Sequence, residues 1–217
     1  MNVGAAAPTK EGRPNHGKKD KFLSQTAFLP KQPTIASRRI AILVADGFDL
    51  TQVTAVRATL SAQGALTFIV GPRRGHIKST SDSGLGADFS WESGRSTLFD
   101  ALYIPGGAQS ALTLRENGRT LHWVREAFHH CKAIAASGEG VDFLQEACQL
   151  PGIQLAIKPP DTTPVVSMGV VTVGKSETSH ELTAKLGSGK DFVSLFATEI
   201  SKHRCWERSS LAAKVAA

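Results

Sequence analysis

Cysteine is scarce in this 217-residue chain. Its three copies, Cys131, Cys148 and Cys205, are too few and too scattered for a disulfide framework or a CxxC metal knuckle. No run approaches the ~18 consecutive apolar residues of a membrane span. The opening Met1-Asn2-Val3-Gly4-Ala5 has no basic stretch followed by an apolar one, so no signal peptide is expected. No internal repeat and no Walker motif occur, which excludes a solenoid and an ATPase. A membrane protein, a fibrous repeat and a disulfide mini-protein are thereby set aside.

Charge imbalance is missing too, except at one end. The formal net charge is +6. Residues 1–39 hold eight basic side chains (Lys10, Arg13, Lys18, Lys19, Lys21, Lys31, Arg38 and Arg39) against Glu11 and Asp20, and the remaining 17 bases are matched by 17 acids. A neutral domain lacks the electrostatic footprint of a nucleic-acid binder, so neither nucleic acid nor membrane is expected as a partner. The leading segment carries Pro8, Pro14, Pro30 and Pro33 and too few apolar residues for a core, which predicts a flexible basic linker over 1–37. Two apolar pairs interrupt it, Phe22-Leu23 and Phe28-Leu29.

From Arg39 the pattern changes. Ile40-Ala41-Ile42-Leu43-Val44 is a continuous apolar run, as in a strand buried on both faces of a parallel sheet. Val53, Val56 and Leu60 then recur at helical spacing, and Gly64 sits where a helix ends. Further strands are expected at Leu66–Val70, Asp100–Ile104, Lys132–Ala135 and Val170–Val173. Helices are expected after Gly107, over Leu121–Cys131, through Leu144 and Ala147, and from Asp191 to Arg204, while residues 73–97 offer only short extended pieces. Strands alternating with helices give an α/β layered sheet, mainly parallel in its centre, over 38–208, with a tail at 209–217. In such sheets the loops at the carboxyl ends of the strands build the site, which selects 45–49, 105–108 and 136–140.

Pro105-Gly106-Gly107 after a buried strand, and the strand-to-helix turn at Ala136-Ser137-Gly138, resemble two landmarks of the ThiJ/PfpI-like family. The resemblance implies a class I glutamine amidotransferase-like, flavodoxin-like three-layer sandwich. Its active members place a nucleophilic cysteine on the tight turn, where helix-start N–H groups lower a thiol pKa, and use a Gly-Gly turn to hold an oxyanion. Carried over, Asp49 stands where the family has an acid, Gly106 and Gly107 on the Gly-Gly turn, and Gly138 two residues after the nucleophile. That puts Ala136 in the cysteine's place, or Ser137 with a shift of one. Neither is a cysteine, and Ser137 reads as a helix cap. No catalytic residue is therefore expected, and these six positions form a vestigial pocket.

A narrower resemblance covers about residues 15–208. Arg38-Arg39-Ile40-Ala41-Ile42-Leu43, Tyr103-Ile104-Pro105-Gly106-Gly107, Ile134-Ala135-Ala136-Ser137-Gly138 and the close His203-Arg204-Cys205-Trp206-Glu207-Arg208 resemble the C-terminal domain of large-subunit catalases. Asn15-His16-Gly17-Lys18-Lys19 with Leu23-Ser24-Gln25-Thr26 resembles the linker leading into it in fungal members. The resemblance implies a catalytic domain and sister subunits of a homotetramer as partners, with haem confined to that catalytic domain. Tyr103 is the single tyrosine and no Arg-x-x-x-Tyr ligand motif exists, so no haem is expected in this chain. No metal is expected either, because His122, His129 and His130 beside Cys131 lack a second ligand pair.

The function expected is a non-catalytic domain that stabilises the catalase tetramer. Alone, it would expose apolar surface, with Phe22, Phe28, Phe89, Trp91 and Trp206 as candidates, and would act as an ATP-independent holdase for unfolded clients. The alternatives are a residual PfpI-like hydrolase or glyoxalase using Ser137 or Cys131, and a ligand or redox sensor around Asp49, Gly107 and Ala136. Cys205, near a helix end, is a candidate reactive thiol.

Overall fold

Ile40, Ile42 and Val44 face one layer of helices, Ala41, Leu43 and Ala45 face the other, and none is exposed to solvent. That double burial is why the run carries no polar alternation. The computed structural model describes residues 32–81, 83–148, 152–157, 163–174, 190–212 and 214. Phe22, Leu23, Phe28 and Leu29 lie outside them. The compact unit runs from Thr34, and Ile35 is already buried in its core, so the domain begins slightly before residue 38.

The strands of the described residues are β1 (Arg39–Leu43), β2 (Leu66–Gly71), β3 (Gly75–Lys78), β4 (Gly84–Ala87), β5 (Phe89–Ser90), β6 (Ala101–Ile104), β7 (Ala133–Ser137), β8 (Val165–Ser167) and β9 (Val170–Val173). Seven form one sheet in the order β5-β2-β1-β6-β7-β9-β8. Every pairing is parallel except that of β8 with β9. β3 and β4 make a separate antiparallel ribbon within the stretch where only extended pieces were expected. β5 is another of those short extended pieces, while β8, a three-residue edge strand, was not foreseen.

One helical layer consists of α1 (Leu50–Ala62) and α5 (Phe192–Ser201), which bury Val53, Val56, Leu60, Phe192, Val193, Phe196 and Ile200 against the sheet. The other consists of α2 (Ala108–Arg115), α3 (Gly118–His129) and α4 (Gly140–Ala147), with Leu114, Trp123, Val124, Phe128, Val141 and Leu144 inward. Each such side chain contributes about 1.5–3 kcal/mol by burial. The result is a three-layer α/β sandwich. α5 stops at Ser201, three residues short of expectation, because His203 takes a left-handed φ of 65°. A helical turn, α6 (Ser209–Ala212), follows a 3-10 turn at Trp206–Arg208 where only a tail was expected.

Arg208 closes the chain onto the sheet. Its side chain is fully buried, yet it meets no carboxylate among its hydrogen-bond partners. Nη1 donates to the Met168 carbonyl at 2.8 Å, Nη2 to that of Lys132 at 2.5 Å and Nε to that of Phe128 at 3.3 Å. The guanidinium also lies 4.4 Å from the centroid of the Phe128 ring. Three segments (the end of α3, the start of β7 and the β8–β9 turn) thus have their carbonyls satisfied by one side chain. In Arg208→Ala the Met168 and Lys132 carbonyls lose this donor, while that of Phe128 keeps the Cys131 N–H, and we expect a loss of about 2–3 kcal/mol in urea unfolding.

Lys132 is the second buried cation. Its Nζ donates to the Ser96 carbonyl at 2.6 Å, and burial pulls its pKa from 10.5 down to about 8. Above that value the folded chain holds a neutral amine while the unfolded chain keeps the proton to about 10.5, so the unfolded state binds more protons in that window. Stability should therefore rise as pH is raised from 8 towards 10, and thermal melts of Lys132→Met should show a flatter rise.

Candidate functional site

The carboxyl ends of β1, β6 and β7 bring the three selected loops together. Asp49 N–H donates to the Gly106 carbonyl at 2.9 Å, and Gly47 N–H to that of Lys78 at 2.8 Å. The loops approach so closely that a Cβ on Gly107, whose φ is +119°, would stand 2.3 Å from the Gly47 carbonyl oxygen. Glycine is required there for space as well as for φ.

The strand-to-helix turn after β7 does not present a side chain. Ala136 is inside the strand, paired in register with Ile104 and Thr172, and its methyl joins the core beneath α3 and α4. Ser137 is the last strand residue rather than a helix cap. α4 starts at Gly140 with Glu139 as its N-cap residue, and Glu139 makes no side-chain capping bond. The positive-φ residue of the turn, where an elbow-type nucleophile sits, is Gly138 at +55°. It has no side chain to offer.

Ser137 points to the opposite layer and is fully buried. Its Oγ lies 2.8 Å from the Tyr103 hydroxyl and donates to Gln52 Oε1 at 2.7 Å. No histidine takes part, so the serine has no base to activate it. Tyr103 is fully buried in β6, its ring 6.0 Å from that of Phe192, and burial raises its pKa despite the opposing bond to Ser137. A tyrosinate haem ligand must reach the iron; this phenol is enclosed and held protonated, so Tyr103 does not fit that role.

The Gly-Gly donors are both in use. Gly106 N–H donates to Gln52 Oε1 and Gly107 N–H to Glu139 Oε2, each at 2.9 Å. An amide oxygen and a carboxylate oxygen of the chain itself thus stand where an oxyanion would be held. Asp49, the expected acid, caps α1: its Oδ1 accepts from Thr51 N–H, the Thr51 hydroxyl and Gln52 N–H. Four of the six expected positions, Asp49, Gly106, Gly107 and Ser137, meet in this network. Gly138 makes its turn, and Ala136 faces away. Gln52 and Glu139 were missed. The available signal was a polar residue at position 52, next to Val53 and in register with Val56 on the inward face of a helix.

The thiols are elsewhere and enclosed. Cys131, Cys148 and Cys205 are all buried. Burial pushes Cys205 up to about 11 and Cys148 up to about 12, so Cys205 is not a reactive thiol. Cys131 ends α3 in a left-handed φ of 54°. His122, His129 and His130 are exposed. Among the described residues no group of three or more His, Cys, Asp or Glu is placed to hold a metal ion, and no helix is long and apolar enough to cross a membrane.

A family model for the C-terminal domain found in long catalases matches residues 36–210. Catalase-1 of Neurospora crassa is 44% identical over 210 residues, covering 95% of this chain. Catalase A of Aspergillus fumigatus is 43% identical over 217 residues, and catalase HPII of Mycobacterium avium 35% over 176. The chain spans only 28% of the length of each of the two fungal relatives. Among solved structures, Drosophila melanogaster DJ-1beta superposes with a TM-score of 0.63 at 19% identity, covering 82% of this chain and 96% of that one. Toxoplasma gondii DJ-1 gives 0.61 at 15% identity, with the same coverage. At those identities the likeness is one of fold, and it is the flavodoxin-like fold expected.

If Gln52 is the group that satisfies both Gly106 and Ser137, its loss should be felt as instability. Gln52→Leu should cost about 2 kcal/mol, two buried donors being left without an acceptor, as read by urea unfolding.

Proposed function

The chain belongs to the C-terminal domains found in long catalases, and from that premise we propose that it is a non-catalytic accessory domain. In this reading it stabilises the assembled catalase tetramer, leaves haem and peroxide chemistry to the catalytic portion, and on its own holds partly unfolded proteins without ATP. The observation that carries the non-catalytic part is the self-occupied turn. With Gln52 Oε1 on Gly106 N–H and Glu139 Oε2 on Gly107 N–H, a substrate oxyanion finds both donors taken. The Ser137 hydroxyl, bound between Tyr103 and Gln52, supports the same reading against a residual hydrolase.

The holdase part is supported by apolar surface. Trp206 is 70% exposed, and Leu66, Leu98, Leu112 and Ile157 are each exposed as well. Of the five residues expected, Trp206 is exposed, Phe22 and Phe28 lie outside the described residues, and the other two are covered. Trp91 is only 6% exposed and packs in the core beneath α3, and Phe89 is half-buried in a cluster with Phe68 and Phe99. Neither supplies a capture surface.

Light scattering from a heat-labile client in ATP-free buffer tests this. Suppression at near-stoichiometric ratio, beyond that given by an equal mass of albumin, is expected. Scattering equal to the albumin control would reject the holdase activity and leave the structural role alone.

A further inference from the structure

We infer that the end of the sheet formed by the amino termini of the strands, centred on Trp206, is the face that docks on the catalytic portion preceding this domain in long catalases. The inference rests on the accessory-domain reading and adds the surface by which it acts.

Trp206 is the largest exposed apolar side chain of the described residues, and it is not carried on a free arm. It opens the 3-10 turn Trp206–Arg208, whose last residue is the buried Arg208, bound to three carbonyls of α3, β7 and the β8–β9 turn. On its other side Cys205 is buried, and its N–H donates to the Cys131 carbonyl at 2.8 Å. The indole is therefore presented to solvent from a fixed backbone. Little conformational freedom remains to be lost on contact, which is the property of an interface anchor. Lys202, Arg204 and Glu207 flank it in sequence, with Lys202 and Glu207 exposed and Arg204 half-buried, giving the charged rim and apolar centre of a docking patch.

The occupant is argued from where the compact unit begins. Arg38 Nη1 donates to His203 Nδ1 at 2.9 Å, and the compact unit starts only four residues earlier, at Thr34. The first residues of the compact unit are thus tied to a residue three positions before Trp206. In long catalases this domain is the C-terminal one, and most of each relative's length lies outside the match. The opposite end of the sheet holds the loops that Gln52 and Glu139 tie shut. The partner surface fitting here is an apolar recess able to take an indole.

Trp91 and Trp123 are buried, so the chain supplies one exposed tryptophan and two internal controls. The chain labelled with 5-fluorotryptophan would be titrated with the Neurospora relative lacking its matched segment, and followed by fluorine NMR with a soluble paramagnetic probe. We expect the Trp206 line, assigned with Trp206→Phe, to shift and lose its broadening by the probe, while the other two lines stay unchanged. Trp206→Ala should weaken association in sedimentation by about tenfold or more. Co-sedimentation with the Trp206 line unchanged would overturn the docking face and leave the accessory reading standing. Protection of Trp206 in the concentrated chain alone would assign the face to a second copy and also overturn it. Absence of co-sedimentation at about 100 μM would count against both this face and the accessory reading.

Discussion

The amide of Gln52 is the point on which the site depends. One side-chain oxygen accepts from Gly106 N–H and from the Ser137 hydroxyl, and so joins α1 to the ends of β6 and β7. The arrangement answers a physical requirement. A sheet whose strands end in glycine turns leaves backbone N–H groups pointing into a buried space, and a buried donor without an acceptor costs about 1–3 kcal/mol. In an enzyme that donor is kept for substrate. Here the chain satisfies it internally, and Asp49 orients the helix that delivers the amide by capping its first turn. Asp49 was expected as the acid of a pocket, and its carboxylate serves the start of a helix.

A second constraint acts at the other end of the sheet. Arg208 exchanges water for three backbone carbonyls and the face of Phe128, a compensation that makes burial of a permanent charge tolerable. Between these two polar clusters the interior is almost wholly apolar, divided by the sheet into two cores. Polar side chains enter that interior chiefly where backbone groups need partners: Gln52 at one end, Arg208 at the other, Ser110 on Ala45 N–H and Thr172 on Ala156 N–H between.

Much of this was legible in the chain itself. Ile40–Val44, Leu66–Val70 and Asp100–Ile104 are apolar on both parities, and only a strand between two helical layers needs that. The glycine turns announced the loops. What stayed hidden follows from the limits of local pattern. β8 is only three residues long and is placed by its pairing with β9. Ser137 before Gly-Glu-Gly has the look of a cap, yet its strand continues through it because Val173 pairs with it in register. Trp91 reads as surface beside charged Glu92, while its ring is inside. Gln52 could be found only by asking which group a buried polar residue is there to serve, and the answer lies 54 and 85 residues away in the chain.

The enclosed sulfurs have a bearing on a family whose members carry the name of a peroxide-destroying enzyme. Oxidation by peroxide proceeds through the thiolate, so its rate follows the ionised fraction and access. Burial pushes Cys205 up to about 11 and Cys148 up to about 12, so both are held overwhelmingly as thiols at neutral pH. Cys131 shares their burial. The domain thus carries its cysteine sulfur in a form that an oxidising bath attacks slowly, a chemical durability that comes from packing alone.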